Sequence, residues 1–178
     1  MNVTIFGGSS PQPETPAYAE AYALGKMLAE RGHAVLTGGY IGTMEAASRG
    51  AYEAGGHVIG VTCEDIEAWR KISPNAWIKE ERRKKTLLAR IEALIEGCDA
   101  AIALPGGPGT LTEISLMWNL MIVESLPRRP LILVGAGWQS VFDQFMQTFE
   151  SYLPRHPLEL TYARDVDTAV QKLESNVS

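Results

Sequence analysis

The residues best suited to chemistry lie in LPGGPGTLTE (104–113), where three glycines and two prolines precede a glutamate. The stretch follows the apolar run AAIA and leads into ISLMWNLMIV. A loop that only joins a strand to a helix does not need this much glycine. A loop that lays its backbone against a ligand does. Backbone N–H groups of Gly106, Gly107, Gly109, Thr110 and Leu111 can then converge on an anion, with the positive end of the helix behind them. Glu113 is open to two readings. Thr110 and Glu113 form a T-x-x-E capping box, in which the carboxylate serves only the helix end. Alternatively, that carboxylate faces a substrate. Upstream, Arg90 falls at the border of the Leu87/Ile91/Leu94 stripe. It can snorkel, bind an anion or partner Glu113. Arg82, Arg83, Lys84 and Lys85 read as a solvated charge run.

The elements that must position these residues alternate. Short apolar strands are expected at 2–6, 33–39, 57–62, 100–104, 130–135 and 158–163. Helices are expected at 15–32, 40–56, 79–97, 110–124 and 138–151, with a short one at the end. Residues 63–78 break the rhythm with two tryptophans and Ser-Pro, and read as an irregular excursion near the sheet's working edge. Continuous apolar strands suit burial on both faces. The alternation implies an α/β fold of Rossmann-like type, a doubly wound parallel sheet in a single domain over 1–178. Ligands of such sheets sit outside the carboxyl ends of the strands. Three glycine loops, FGGSSP, TGGYIGT and PGGPGT, fall on that edge. None is a Walker A loop and none has dinucleotide spacing, so a mononucleotide-sized ligand is favoured.

Composition narrows the classes. The 178 residues are 46% apolar, carry a net charge of -5 and have a pI near 5.3. Binding to nucleic acid through a broad basic field is disfavoured. Cys63 and Cys98 sit in no metal-ligand spacing and are expected to pack as small apolar residues. No metal site is indicated. There is no signal-peptide pattern and no run of roughly 20 apolar residues, so neither export nor a membrane partner is expected and the cytoplasm is the default.

PGGPGTLTE fits the PGGxGTxxE signature of the LOG family, the cytokinin riboside 5'-monophosphate phosphoribohydrolases, whose members often carry the label "possible lysine decarboxylase". IFGGSSP, LTGGYIGTMEAASRGAYEAGGHVIGV and CDAAIALPGGPGTLTE extend the resemblance over nearly the whole chain. It implies hydrolysis of the N-glycosidic bond of a nucleoside 5'-monophosphate such as AMP, with no cofactor, in a homodimer. It implies that Glu113 and Arg90 are catalytic, that the third loop holds phosphate, and that Gly8, Ser9, Ser10, Gly39, Gly42 and Met44 form the base and ribose side. The sequence departs from the family at four places. Ile91 follows the arginine in place of lysine, and Thr112 replaces the first of two acids. Tyr40 replaces a third glycine, and Glu45 follows Met44. The same signature resembles molybdenum-cofactor carriers, so a non-catalytic carrier or nucleotide-binding regulator is the alternative. A PLP-dependent decarboxylase would need a Schiff-base lysine at a strand end, and none of the six lysines is so placed.

Overall fold

The structure, a computed structural model, describes residues 1–153 and 158–175. The chain runs β1 (Asn2–Phe6), α1 (Pro16–Glu30), β2 (Ala34–Thr37), α2 (Thr43–Glu53), β3 (Val58–Cys63), α3 (Glu64–Arg70), β4 (Glu80–Lys84) and α4 (Leu87–Glu96). It continues as β5 (Ala100–Ala103), α5 (Pro108–Ile122), β6 (Leu131–Val134), α6 (Ala136–Thr148), a 3-10 turn (Glu150–Tyr152), β7 (Thr161–Ala163) and α7 (Val166–Ser175). The strands make one seven-stranded sheet in the order β4-β3-β2-β1-β5-β6-β7, and every pairing is parallel. This is the doubly wound α/β architecture expected from the alternation.

Each face of the sheet has its own core. On one, Val3, Ile5 and Val35 pack against α1, α2 and α7 through Leu24, Ala47 and Val170. On the other, Phe6, Val61 and Leu133 meet α4, α5 and α6 through Leu94, Met117 and Phe142. Burial on both sides explains why the central strands are apolar without alternation. Cys63 and Cys98 are free and buried. Among the described residues, no helix is long and apolar enough to cross a membrane.

Two segments differ from expectation. The helix expected at 79–97 is a strand followed by a helix. EERRK pairs with β3 from Ile59↔Glu80 to Cys63↔Lys84 at the edge of the sheet. Its charged residues are good helix formers, which misleads a local reading. Edge position favours them, because charge on an edge strand discourages pairing with other chains. Thr86 then caps α4 by accepting from the Ala89 N–H. The excursion at 63–78 contains the helix α3, and it does stand at the carboxyl edge of the sheet.

The chain leaves β1 toward β4 and returns to place β5 on the other side of β1. The loops after β1 and β5 therefore diverge at a topological switch point, where doubly wound sheets hold their ligands.

Candidate active site

Hydrogen bonds lace the three glycine loops together at this point. The Gly8 N–H donates to the Pro105 carbonyl at 3.1 Å, and the Gly8 carbonyl accepts from the Thr43 N–H at 3.0 Å. Gly42 caps α2 at φ 72, and a Cβ there would lie 2.6 Å from the Ser9 backbone. Gly39 has φ 78, and a Cβ on it would meet Thr62 and Ile78. Gly106 packs against Gly8 and Thr110, where a Cβ would come within 2.1 Å of the Thr110 hydroxyl. Gly42 and Gly106 hold the loops together, Gly39 packs on Thr62 and Ile78, and none of the three lines the main cavity. Gly107 and Gly109 are different, because a Cβ on either would meet nothing within 4 Å.

Above the loops lies a cavity of about 530 Å³. Gly8, Ser9 and Ser10 line it from the first loop, Tyr40 and Met44 from the second, and Gly107, Gly109 and Thr110 from the third. Arg90, Ile91 and Leu87 enter from α4, and Glu113 and Thr112 from α5. None of the six lysines lines it.

The start of α5 removes the capping-box reading of Glu113. The helix begins at Pro108 with Gly107 as its cap, two residues before the expected start. Thr110 is therefore the third residue of the helix, and Glu113 lies nearly a turn further in. The capping box does not form, and no side chain caps this helix. Among the described residues, the N–H groups of Gly107, Gly109 and Thr110 make no protein hydrogen bond, so an uncapped helix start faces the cavity. Leu111 departs from its expected role, because its N–H is already used on the Gly107 carbonyl and its side chain does not line the cavity.

Arg90 is buried, at 6% exposure. Its Nε donates to the Val61 carbonyl at 2.8 Å and its Nη2 to the Gly38 carbonyl at 3.0 Å, with the Met44 sulfur at 3.5 Å. The guanidinium lies 5.5 Å from the centre of the Tyr40 ring. Three elements thus fix its position while Nη1 has no protein partner among the described residues. Arg90 itself lines the cavity. Gly38 makes this possible, because a Cβ there would lie 1.6 Å from Nη2.

Glu113 is half-buried and makes no protein hydrogen bond among the described residues. Desolvation pushes its carboxyl from 4.5 up to about 7, against the opposing pull of the Arg90 charge. A carboxyl that titrates near neutrality in a cleft, beside a fixed cation, is the arrangement that acid–base and electrostatic catalysis use.

Some of the lining could not be read from glycine patterns or motif spacing. Tyr40 is buried, and its hydroxyl accepts from the Cys63 N–H at 2.7 Å and lies 3.2 Å from Glu67. Burial raises it to about 12. Ile66, Trp69 and Arg70 of α3 form the outer wall. The tryptophan in an unpatterned stretch was the only sequence signal for that wall.

Residues 1–126 match the SLOG cluster4 family. The chain belongs to that family. It is 37% identical over 128 residues, 70% of this chain and 51% of the other, to the probable cytokinin riboside 5'-monophosphate phosphoribohydrolase LOGL5 of Oryza sativa subsp. japonica. The chain spans about half the length of that curated relative. The X-ray structure of TM1055 superimposes with a TM-score of 0.76 at 27% identity, covering 98% of each chain. The molybdenum cofactor binding protein of Rippkaea orientalis superimposes at 0.77, with 23% identity, 99% of this chain and 97% of that one. This last likeness extends to the fold alone.

Proposed function

We propose that the protein hydrolyses the N-glycosidic bond of a nucleoside 5'-monophosphate, of AMP or cytokinin riboside type, to free base and ribose 5-phosphate. The observation that carries the reading is the position of Glu113, unpartnered in the cavity and less than two turns from an uncapped helix start. The rice relative's phosphoribohydrolase name supports the same reaction class.

In this reading the free N–H groups of Gly107, Gly109 and Thr110 take the phosphate, and the helix dipole adds to their field. Fixing the phosphate sets the distance from there to the ribose, so that C1′ lies beside Glu113. The bond from C1′ to the base nitrogen breaks and its electron pair leaves with the base, which takes up a proton from solvent, matched by the one that Glu113 later releases. The ionised Glu113 stabilises the positive charge that develops on the ribose and orients the attacking water. The water oxygen bonds to C1′, and its proton is accepted by the carboxylate. Arg90 favours the ionised form of Glu113 through its charge, and its free Nη1 can reach a ribose or phosphate oxygen. Ser9 and Ser10 offer hydroxyls from the first loop.

Incubation with a panel of nucleoside monophosphates, followed by chromatography for free base, tests the reading. Release of adenine from AMP is the expected result. A protein that binds AMP and releases no base from any member of the panel would instead be a carrier or regulator.

A further inference from the structure

The helix α3 has an arrangement that the reaction does not explain. It is seven residues long and none of them is buried. A helix this short gains little from its own hydrogen bonds, and it must be held by its surroundings. Here it is held firmly. The Tyr40 hydroxyl reaches both the Cys63 backbone and Glu67. Glu67 pairs with Arg83 of β4 at 2.6 Å. Asp65 accepts from the Leu87 N–H at 2.9 Å, which ties α3 to the start of α4. These contacts leave one face of the helix turned to the cavity. Ile66, Trp69 and Arg70 stand at i, i+3 and i+4, one stripe of a helix, and all three line it.

Trp69 is 71% exposed. The other three tryptophans are engaged: Trp118 and Trp138 are buried, and Trp77 packs against Tyr52 and Arg49. An indole left open at the mouth of this cavity is a large apolar surface with one face free of the Arg70 guanidinium. Arg70 stiffens it, with the guanidinium 4.7 Å from the ring centre. Its location is informative too. The uncapped start of α5 follows β5 and α3 follows β3, with β1 and β2 between them. Three inter-strand steps of about 4.8 Å put roughly 14 Å between the two strand ends. The cavity therefore has an anion-binding end and an aromatic end, separated by more than a bare sugar phosphate spans.

We infer that Trp69 is the stacking platform for the base of the nucleotide and sets the preference for a large, flat purine. The inference rests on the proposed nucleotide reading and adds the residue that selects the base. Stacking between a base and an aromatic side chain is worth about 1–3 kcal/mol, or roughly 5- to 150-fold in affinity.

The test compares parent, Trp69→Ala and Trp69→Phe with AMP and with ribose 5-phosphate as ligands. Trp69 is exposed, so both variants should keep the parent's thermal midpoint. Trp69→Ala should raise KM for AMP by roughly tenfold, more than it lowers kcat, and leave inhibition by ribose 5-phosphate unchanged. Trp69→Phe should recover most of the loss. AMP should quench a tryptophan emission that is missing in both variants, and ribose 5-phosphate should not. An unchanged KM for AMP in Trp69→Ala, or equal weakening of AMP and ribose 5-phosphate, would overturn the inference while leaving the hydrolase reading intact. A parent protein that neither binds nor cleaves any nucleoside monophosphate would overturn both.

Discussion

Keeping Glu113 ionised inside the cavity costs stability, and the cost can be measured. Burial raises its carboxyl from 4.5 to about 7. Between those values the native protein holds a proton that the unfolded chain has released. The sign follows from linkage: stability falls as pH rises from about 4.5 through about 7, then levels off. At about 1.4 kcal/mol per pH unit, the full cost is about 3.5 kcal/mol. Glu113→Gln keeps the side chain's shape and removes its titration. Urea unfolding of parent and variant between about pH 4.5 and pH 8.5 isolates the effect, because groups distant from the site cancel in the difference. Relative to the parent, the variant should gain up to about 3.5 kcal/mol across that range, with half of the gain reached near pH 6. Parallel stability curves would refute the reasoning, because they would mean that the carboxyl is not desolvated in the folded protein. A difference that moves the other way would mean that Arg90 dominates.

The glycines provide a second set of tests. Gly38→Ala would place a Cβ 1.6 Å from the Arg90 Nη2 and 2.6 Å from the Met44 sulfur; it should destabilise the protein by about 1–3 kcal/mol in urea unfolding and lower AMP hydrolysis by displacing the guanidinium. Gly106→Ala and Gly109→Ala should separate. The first meets the Thr110 hydroxyl at 2.1 Å and should lower the thermal midpoint, whereas the second meets no protein atom within 4 Å, so it should keep its midpoint and weaken AMP binding in calorimetry. A homodimer is expected from the exposed aromatic series Phe145, Phe149 and Tyr152, the last 85% exposed; light scattering should report a dimer for the parent and a monomer for Phe149→Asp, and a parent that stays monomeric at micromolar concentration would reject it.

Most of the architecture was legible because burial leaves a clear trace in sequence. Ala100–Ala103 and Leu131–Val134 are fully buried strands and read as continuous apolar runs. The strand β4 was not legible, since Glu80–Lys84 carries its pairing in the backbone and its preferences in charged, helix-favouring side chains. The start of α5 was misplaced by two residues. Gly107 caps through its backbone and Pro108 opens the helix, so Thr110 could imitate a cap in sequence. That small shift frees Glu113 from the helix cap. The helix α5 offers no free apolar face for a dimer. Met117, Trp118 and Met121, which spread around α5, are consumed by the chain's own core, and Ile122 packs against it. Arg90 was legible as a border residue, but its depth was not, because the loop after β2 that closes over it lies fifty residues away. Tyr40 was visible only as a departure from a glycine pattern, and its role in anchoring α3 depends on contacts with Cys63 and Glu67.

The central claim is that the Glu113 carboxylate acts on the ribose, and the rate of AMP hydrolysis by Glu113→Gln tests it most directly. The variant should bind AMP and lose roughly a hundredfold or more in kcat, because the charge that stabilises the transition state is gone. The parent's kcat/KM should rise with pH through a midpoint near 7, as the ionised form accumulates. The variant should lack that limb. A folded variant that binds AMP and hydrolyses it at the parent's rate, with the same pH profile, would contradict the account.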